Sequence, residues 1–337
     1  MKIGYYASQE HHSPSQLLNL VIEAEKSGFQ SILTSDNFNP STEIEGHSGF
    51  AWSWLGAAMQ VTSRLEFGIV NSPGQRYHPA IVAQAAATLM ELFPNRFWLA
   101  LGSGQRLQEH ITGTGWPSKI DRNIRVKECA EVIRDLWSGK TVNKNGLVTV
   151  DDARLFTLPL ETPPLIGAAL SETTARWLGT WADGMITLSD KPEKLKRLMD
   201  AFRDGGGEGK PVFLKAQLSY ARNESLAKME AYTHWKNNLT GRNMVNDLKT
   251  SYDLDLAGVS VASKQVEDKV LISSSTDKHL EWLCAFADLG FEKIYLHNVN
   301  GIQHEFIEDF GQYVVPVLAN MNKMANVDTE SSLMTVL

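Results

Sequence analysis

The sequence predicts an α/β protein that folds as a single (β/α)8 barrel with small insertions. Short β-rich runs alternate with amphipathic helical runs about eight times, a pattern typical of repeated βα units. These units extend over roughly 320 residues, the usual size of such a barrel. Pro163-Pro164 and the glycines at 205–207 mark loops rather than a domain boundary. We therefore expect one barrel domain over residues 1–325 and a polar tail at 326–337, with an open, doubly wound sheet as the alternative.

Local patterns give the elements in order. Runs rich in β-branched and aromatic residues predict eight strands, at residues 3–6, 31–35, 66–71, 96–101, 165–168, 184–187, 212–220 and 294–297. Apolar residues at helical spacing predict helices at residues 15–27, 50–62, 80–92, 121–137, 172–181, 194–203, 224–238 and 303–318. Residues 141–156 read as a small hairpin, because Asn143-Lys144-Asn145-Gly146 supplies turn residues that tolerate positive φ. No structure is predicted for residues 240–263.

Composition narrows the class of protein. The net charge is −7 and the pI is about 5.7, and no basic run is longer than Lys194-Leu195-Lys196-Arg197, which argues against a nucleic-acid or anionic membrane partner. The apolar stretches are shorter than the ~20 residues that span a bilayer, and no signal-peptide pattern is present, so we expect a cytoplasmic protein. Cys129 and Cys284 have no metal-like companions and are expected to be buried free thiols.

An apolar run breaks into the Gly-x-Gly turn Gly102-Ser103-Gly104, which opens a helix. Such a turn directs backbone N–H groups at an anion, usually a phosphate. A dinucleotide-binding turn would need glycine or alanine where Leu107 stands, and an acidic residue after the next strand, so nicotinamide binding is disfavoured. Two interpretations stay open: a phosphate site, and a structural turn that needs glycine for positive φ.

In a (β/α)8 barrel, functional residues lie at the carboxyl ends of the strands. This rule nominates a polar ring in which Glu10 and Asp36 are the only carboxylates. The ring comprises Ala7, Ser8, Glu10, Ser35, Asp36, Asn37, Asn71, Ser72, Ser103, Gly104, Gln105, Ala169, Leu170, Ser171, Leu188, Ser189, His297 and Asn298.

Six separated motifs resemble the bacterial-luciferase-like superfamily. They are Ser35-Asp36-Asn37-Phe38-Asn39-Pro40, Gly46-His47-Ser48-Gly49-Phe50-Ala51-Trp52, Arg76-Tyr77-His78-Pro79-Ala80, Pro94-Asn95-Arg96-Phe97, Thr174-Ala175-Arg176-Trp177-Leu178-Gly179 and Ala182-Asp183-Gly184. Within that superfamily the chain is most similar to the branch that uses the deazaflavin coenzyme F420 and contains glucose-6-phosphate dehydrogenase. The resemblance covers residue 1 to about residue 318 and implies the same barrel.

The resemblance implies a site for a flavin or deazaflavin mononucleotide, with its ring in the barrel mouth. The phosphate would lie on Ser103, Gly104 and the helix that follows, opposite the turn Ala169-Leu170-Ser171. Asp36 would lie near the ring. The other cofactor residues expected are Val70, Ser72, Gln105 and Gln108. Relatives also carry a non-prolyl cis peptide bond after the third strand, which here falls within residues 69–72.

The departures from that branch concern its chemistry. Where the branch has a His and a Glu that do acid–base work, this chain has Asn37 and Gln105, whose amides do not exchange protons near neutral pH. Of the basic residues that hold sugar phosphate, Lys269 matches and Arg197 stands in for a second. A third position falls on His304 or Glu305. We therefore expect a small-molecule substrate other than glucose 6-phosphate.

The expected catalytic set is Glu10, Asn37, Gln105 and His47. Glu10 is the first candidate for handling a proton, because it matches an active-site Glu of the resembling branch, and His11, His12 and His47 are reserves. The alternatives are an exposed loop carboxylate for Glu10 and a packing or capping residue for His47. No metal site is expected, since His11-His12 lack a carboxylate cluster at metal-ligand spacing.

The loss of hydride-branch residues favours FMN or reduced FMN as the cofactor, with reduced flavin supplied by a separate reductase. The first functional hypothesis is therefore a luciferase-like flavin-dependent oxidoreductase or monooxygenase that acts on an organic substrate. Two alternatives stay open: a dehydrogenase that uses F420, and a flavin-binding protein without catalysis. The resemblance also implies a homodimer, with the helix at residues 80–92 as a candidate face.

The tryptophans divide into two groups. Trp52 and Trp54 could wall a ring-binding pocket. The others fit core or interface positions better, namely Trp98, Trp116, Trp137 and Trp177.

Overall fold

Eight parallel strands form a closed ring in the computed structural model, which describes residues 1–239 and 248–321. The described residues contain these eight and three further strands, namely β5 and β6, which form a hairpin, and β10, which pairs with β9. All of them, in chain order, are β1 (Lys2–Tyr6), β2 (Ser31–Ser35), β3 (Glu66–Asn71), β4 (Phe97–Leu101), β5 (Val142–Asn145), β6 (Thr149–Ala153), β7 (Leu165–Ala168), β8 (Gly184–Leu188), β9 (Val212–Ser219), β10 (Leu271–Ile272) and β11 (Lys293–Asn298). The ring order is β1-β2-β3-β4-β7-β8-β9-β11, and β11 pairs with β1 to close it. The single (β/α)8 barrel is thus confirmed and the open sheet is wrong. The expected end of the barrel at residue 325 and the tail lie outside the described residues.

Helices follow the ring strands. They are α1 (Pro14–Lys26), α2 (Ala51–Val61), α3 (Pro79–Leu92), α4 (Arg106–Glu109), α5 (Lys119–Trp137), α6 (Glu172–Gly179), α7 (Pro192–Phe202), α8 (Glu224–Trp235), α9 (Ser251–Gly258), α10 (Ser263–Glu267), α11 (Thr276–Ala287) and α12 (Gln303–Tyr313). Helices α1, α3 and α7 begin at a proline slightly before the predicted start, because proline lacks the N–H that the first turn leaves unused. Helices α9, α10 and α11 were not predicted, and residues 240–247 of the unassigned segment lie outside the description.

Two local predictions differ from the structure. The Gly-x-Gly turn opens only the four-residue helix α4, because a short 3-10 turn ending at Gly113 (φ +74°) separates α4 from the long helix α5. The hairpin turn lies at residues 146–148 rather than at 143–146. Glu128 holds it there by accepting a hydrogen bond from the N–H of Val148 at 3.2 Å, a contact between elements that the local sequence does not encode.

Large side chains fill the barrel interior. Trp98 packs edge-on against Phe213 with ring centroids 5.0 Å apart, and it also contacts Tyr295. Gly4 and Gly68 make room for these rings: a Cβ at Gly68 would lie 2.1 Å from Trp98, and one at Gly4 would lie 2.4 Å from Tyr295. The interior is therefore a packed core, as in other barrels of this kind, and the site must lie at the carboxyl ends of the strands.

Trp98 and Trp137 are buried in the core as predicted and Trp177 is half-buried, but the tryptophans expected at the pocket do not lie there. Trp137 is buried and donates from Nε1 to the carbonyl of Ala83 at 2.9 Å. Trp52 and Trp54 are also buried, and Trp52 packs 6.0 Å from Phe97 in the layer between α2 and the barrel. The pocket role is wrong for both, because the face of α2 that carries them turns towards the core rather than towards the barrel mouth.

Surface features bear on the remaining expectations. Cys129 and Cys284 are both free; Cys129 is buried as expected, whereas Cys284 is only half-buried. Among the described residues, no helix has the length and apolar character needed to cross a membrane. Helix α3 exposes Ile81 and Leu92, and the homodimer stays a prediction.

Candidate functional site

Asp36 and Asn71 form a buried polar pair where β2 and β3 end. Asn71 Nδ2 donates to Asp36 Oδ2 at 3.1 Å, and Arg76 Nη2 donates to the same oxygen at 3.1 Å. The Oδ1 atoms of Asp36 and Asn71 are buried and have no hydrogen-bond partner among the described residues. An unmet buried acceptor costs about 1–3 kcal/mol. The pair therefore indicates a ligand that brings hydrogen-bond donors to this edge of the barrel.

The Gly-x-Gly turn lies beside this pair. Gly104 adopts φ +77°, which explains the need for glycine. A Cβ there would lie 3.5 Å from Cβ of Ser72 and 3.6 Å from the ring of Trp116. Lys119 Nζ donates to Ser103 Oγ. The turn thus offers backbone N–H groups, two hydroxyls and a cation, a combination that suits a phosphate even though α4 is too short for a large helix dipole.

Trp116 belongs to this turn, which corrects the expectation that it is a core or interface residue. Its ring lies next to Gly104, and the guanidinium of Arg122 lies 4.1 Å from its centroid. Its Nε1 is buried and has no hydrogen-bond partner in the part of the chain that the structure describes. The loop between α4 and α5 folds back onto the turn, a tertiary contact that spacing along the chain does not reveal.

The remaining cofactor candidates line the same edge of the mouth. Val70 is half-buried in β3, and its carbonyl accepts from the N–H of Asp36 at 3.1 Å. After β7, Ala169 is buried while Leu170 is 46% exposed. Ser171 caps α6 by accepting from the N–H of Thr174 at 3.3 Å. Their contact with a cofactor stays a prediction.

Gln108 holds a loop in place. Its Oε1 accepts from the N–H groups of Phe38 and Asn39, at 2.7 and 2.9 Å, and its Nε2 donates to the carbonyl of Asn39 at 3.0 Å. Most of its hydrogen-bonding capacity is therefore committed to the loop after β2 rather than to a cofactor. Gln105, by contrast, is exposed at the mouth.

Glu10 and Asn37 meet at the barrel mouth. Asn37 Nδ2 donates to Glu10 Oε1, and the N–H of Ser41 donates to Glu10 Oε2 at 2.8 Å. Glu10 is only 8% exposed, so the alternative of an exposed loop carboxylate is wrong. His47 is half-buried and lies on the same loop as Asn37. The neighbouring Ser48 holds this loop, because its Oγ donates to the carbonyl of Asn37 at 2.8 Å.

Lys215 and His297 reach the mouth from β9 and β11. Lys215 Nζ lies 3.5 Å from the ring centroid of Tyr6, and the His297 ring lies 4.3 Å from that of Tyr6. Burial lowers the pKa of Lys215 to about 7, against the opposing effect of Glu10 and Glu45. Burial also lowers the pKa of His297 well below its ordinary value. Neither ring nitrogen of His297 has a hydrogen-bond partner among the described residues.

Sequence reasoning missed Lys215 and named His297 only as a strand end. A signal existed in β9, where Phe213, Lys215 and Gln217 alternate with apolar residues. Side chains at every second position of a barrel strand point inwards. A lysine at such a position, above the ring of Phe213 in the core, lies at the mouth.

His11, expected only as a reserve for handling a proton, has a buried side chain in the loop after β1. Its ring lies 5.3 Å from that of His234 and 6.3 Å from that of His297. Burial lowers the pKa of His11 to about 3, and the neighbouring His234 and His12 add to the effect. Its Nε2 lies 3.5 Å from Glu45 Oε1. Glu45 is also buried, and burial followed by the charge of Glu10 raises its pKa to about 10.

The expected substrate-anion residues do not converge. Arg197 is exposed and pairs with Glu172 at 3.1 Å. Lys269 Nζ lies 3.1 Å from Asp190 Oδ1, and Lys194 contacts the other oxygen of Asp190. Lys194 rather than Arg197 therefore accompanies Lys269, since α7 turns Arg197 outwards. Although burial opposes it, hydrogen bonding to Lys194 keeps the pKa of Asp190 low, at about 2.

Two other implications of the resemblance are not met. His304 is exposed and pairs with Glu23 at 2.7 Å, and Glu305 accepts from the N–H of Arg222 at 3.1 Å, so neither joins Lys269. The described residues contain no cis peptide bond, and the expectation for residues 69–72 is wrong.

Comparisons with known proteins agree with this geometry. Residues 1–293 match the luciferase-like monooxygenase family. The F420-dependent glucose-6-phosphate dehydrogenase of Segniliparus rotundus is 32% identical over 334 residues, which cover 95% of this chain and 99% of that protein. The enzyme of the same name from Mycobacterium tuberculosis is 30% identical over 333 residues, with coverage of 95% and 99%.

A solved structure is also similar. It is described as an F420-dependent secondary alcohol dehydrogenase in complex with an F420-acetone adduct, and it is 26% identical with a TM-score of 0.87, covering 94% of this chain and 98% of that one. Together with the near-complete coverage of the curated relatives, these matches show that the chain belongs to the luciferase-like monooxygenase family of oxidoreductases, in the branch of the glucose-6-phosphate dehydrogenases named above.

Proposed function

We propose that this protein is a deazaflavin-dependent dehydrogenase that interconverts a small uncharged alcohol and its carbonyl compound. Relatives named for F420 align with nearly the whole chain and support this cofactor over the FMN that the sequence favoured. The observation that carries the ring site is the pair Asp36 and Asn71, whose unmet buried acceptors fit the ring N–H that deazaflavins and flavins share, and the choice of F420 rests on the relatives. When bound, a deazaflavin supplies two-electron hydride chemistry.

Different residues at the mouth would bind the phosphate and orient the ring of the cofactor. Ser72, Ser103 and Gly104, with Lys119, would hold the mononucleotide phosphate. Asp36 and Asn71 would orient the ring. Arg76 fixes Asp36, since its guanidinium donates both to the side chain and to the backbone carbonyl of that residue.

The substrate side of the mouth is lined by Glu10, Lys215 and His297. Lys215 Nζ is positioned to donate to a substrate oxygen, because it lies over the ring of Tyr6 at 3.5 Å. Oxidation of an alcohol releases its hydroxyl proton, and Glu10, held by Asn37 and Ser41, is the carboxylate placed to accept it. Asn37 thus acts by orienting Glu10, which gives an amide a role at the position where relatives carry an acid–base residue.

Lys194 and Lys269 are both paired with Asp190, which supports an uncharged substrate. A phosphorylated substrate would have to displace Asp190 from both Lys194 and Lys269. The structure related to an F420-acetone adduct supports a small carbonyl compound in place of a sugar phosphate.

Direct titration tests the cofactor. The purified protein would be titrated with F420 and, separately, with FMN, each oxidised and reduced, and followed by quenching of tryptophan fluorescence. We expect tighter binding of F420, and reduction of F420 when a small secondary alcohol such as 2-propanol is added. A preference for FMN would overturn the proposal in favour of the flavin monooxygenase, and F420 binding without turnover of any alcohol would favour the non-catalytic protein.

A variant tests the polar pair. Asp36→Asn removes the charge that holds Arg76 and replaces one acceptor by a donor, so we expect the Kd for F420 to rise at least about tenfold, or about 1.4 kcal/mol. Asp200→Asn, which alters an exposed carboxylate paired with Lys196, is the control and should bind F420 like the wild type. Equal affinity of the Asp36 variant would remove this pair from the cofactor site.

A further inference from the structure

We infer that His11, Glu45 and His234 form a binding site for a divalent transition-metal cation of the zinc class. One ligand atom from each residue lies within 4.8 Å of the others. His11 Nε2 and His234 Nδ1 lie 3.5 and 3.9 Å from the same oxygen, Glu45 Oε1. Ligands that bind zinc tetrahedrally at about 2.0–2.2 Å lie about 3.4 Å from one another. The two edges that end at Glu45 Oε1 are therefore within about half an ångström of that spacing, and the edge between the two histidine nitrogens would close from at most 4.8 Å.

The three side chains are largely buried, and some of their polar atoms have no hydrogen-bond partner in the described structure. The side chains of His11 and Glu45 are 5% and 2% exposed, and that of His234 is 16% exposed. Glu45 Oε2 and His234 Nδ1 are buried without a hydrogen-bond partner among the described residues. Buried polar atoms of this kind are normally satisfied by protein, water or an ion, so these two atoms indicate a ligand between the three side chains.

Glu230 supplies the outer support that metal-binding histidines usually have. Its Oε2 lies 3.4 Å from Nε2 of His234, one helical turn away on α8. A carboxylate there favours the tautomer with the proton on Nε2, which leaves the lone pair of Nδ1 facing Glu45. Metal-ligating histidines commonly donate their second ring nitrogen to such a carboxylate.

Ligand type and charge select the cation. Two imidazoles and one carboxylate suit zinc, cobalt or ferrous iron, whereas magnesium and calcium prefer oxygen ligands. Lys215 is the opposing charge, since its field acts on both His11 and Glu45. Glu10 beside Glu45, and Glu230 beside His234, add negative charge that offsets it.

The site would join three segments of the barrel mouth that are far apart along the chain. His11 lies in the loop after β1, Glu45 in the loop after β2, and His234 in α8. The expectation of no metal rested on the neighbours of His11-His12 along the chain, where no carboxylate has ligand spacing. The cation would fix these segments around the substrate side of the mouth, and the inference does not depend on which cofactor the protein uses.

Metal binding by the whole protein tests the inference. Protein stripped with a chelator would be titrated with Zn²⁺ by calorimetry, and with Co²⁺ by visible absorption. We expect one equivalent to bind. Glu45→Gln and His234→Gln should each weaken the affinity more than about 100-fold, and Glu230→Gln by about 10- to 100-fold, the usual effect of an outer partner.

Controls separate this site from surface binding. Glu43→Gln changes an exposed carboxylate on the same loop, and His304→Asn changes an exposed histidine; both should bind zinc like the wild type. The unfolding temperature offers a second readout, because zinc should raise it in the wild type and in Glu43→Gln but not in Glu45→Gln. Binding of well under one equivalent, or affinity unchanged in Glu45→Gln, would overturn the inference, as would loss of binding in His304→Asn.

Discussion

Gly104 contributes to the cofactor turn through its backbone and through the space it leaves. Its φ is +77°, and a Cβ would point between Ser72 and Trp116, 3.1 Å from Glu109. Gly113 has nearly the same φ, +74°, but its Cβ position has no neighbour within 4 Å in the described structure. The two glycines share backbone strain and differ only in what surrounds them, which makes them a matched pair.

Substitution of these glycines separates strain from binding. Gly104→Ala and Gly113→Ala should each cost about 1–2 kcal/mol of stability, the penalty for a left-handed residue. Only Gly104→Ala should raise the Kd for F420, by about tenfold or more, when tryptophan quenching is measured. Equal affinities in the two variants would mean that the turn is structural and binds no phosphate.

Asp190 decides whether the two lysines are available to a substrate. Asp190→Asn leaves Lys194 and Lys269 without their shared counter-charge, so we expect calorimetry to show glucose 6-phosphate binding about tenfold more tightly than to the wild type. Asp200→Asn, on the outer surface, should not change that affinity. Unchanged binding in the Asp190 variant would show that the lysines face away from the substrate space.

At the scale of the element, β3 and β4 fit together because one strand carries glycine where the other carries tryptophan. Gly68→Ala places a methyl 2.1 Å from the ring of Trp98, and the strand or the ring must move. Overpacking of this kind typically costs about 1–3 kcal/mol. Gly56 in α2 has no atom within 4 Å of its Cβ position in the described structure, and Ala there should stabilise by up to about 1 kcal/mol. Urea denaturation should show a lower unfolding free energy for Gly68→Ala and a higher one for Gly56→Ala than for the wild type. Changes of the same sign in the two variants would contradict this account of the core.

Helices α1 and α4 differ in how far the local sequence determines their bounds. Helix α1 starts where Ser13 forms a capping box with Gln16 and Pro14 occupies the first turn, so a stretch of four residues determines its start. The helix after the Gly-x-Gly turn is short for a different reason. It ends at Glu109, a 3-10 turn to Gly113 follows, and Trp116 then packs back on the Gly-x-Gly turn, a contact that depends on distant residues.

At the scale of the whole molecule, buried histidines make stability depend on pH. His279 is fully buried against Tyr220, Trp282 and Phe310, and burial lowers its pKa to about 4. Between about pH 4 and pH 6.5 the unfolded chain binds this proton and the folded chain does not, so stability is full above pH 6.5 and falls as the pH falls.

A variant isolates this contribution from that of the other histidines. His279→Gln retains a donor for the carbonyl of Ser273, which lies 3.0 Å from Nε2, but does not titrate. Urea denaturation at about pH 7.5 and pH 4.5 should show a decrease in unfolding free energy that is about 2–3 kcal/mol larger for the wild type. Equal decreases would mean that His279 is protonated in the folded protein.

Local sequence patterns are enough to predict the barrel and many residues of its mouth. The alternation of strand and helix periods fixes each element locally, and closure of eight such units brings the strand ends together, which is why Glu10 and Asn37, predicted separately as mouth residues, are neighbours in the structure. The residues that reach the mouth from distant parts of the chain became evident only in the folded protein. His234 from α8 joins Glu45 and His11, and Asp190 occupies both lysines. Such contacts depend on how loops and helices pack across the barrel, and a local pattern carries no information about them.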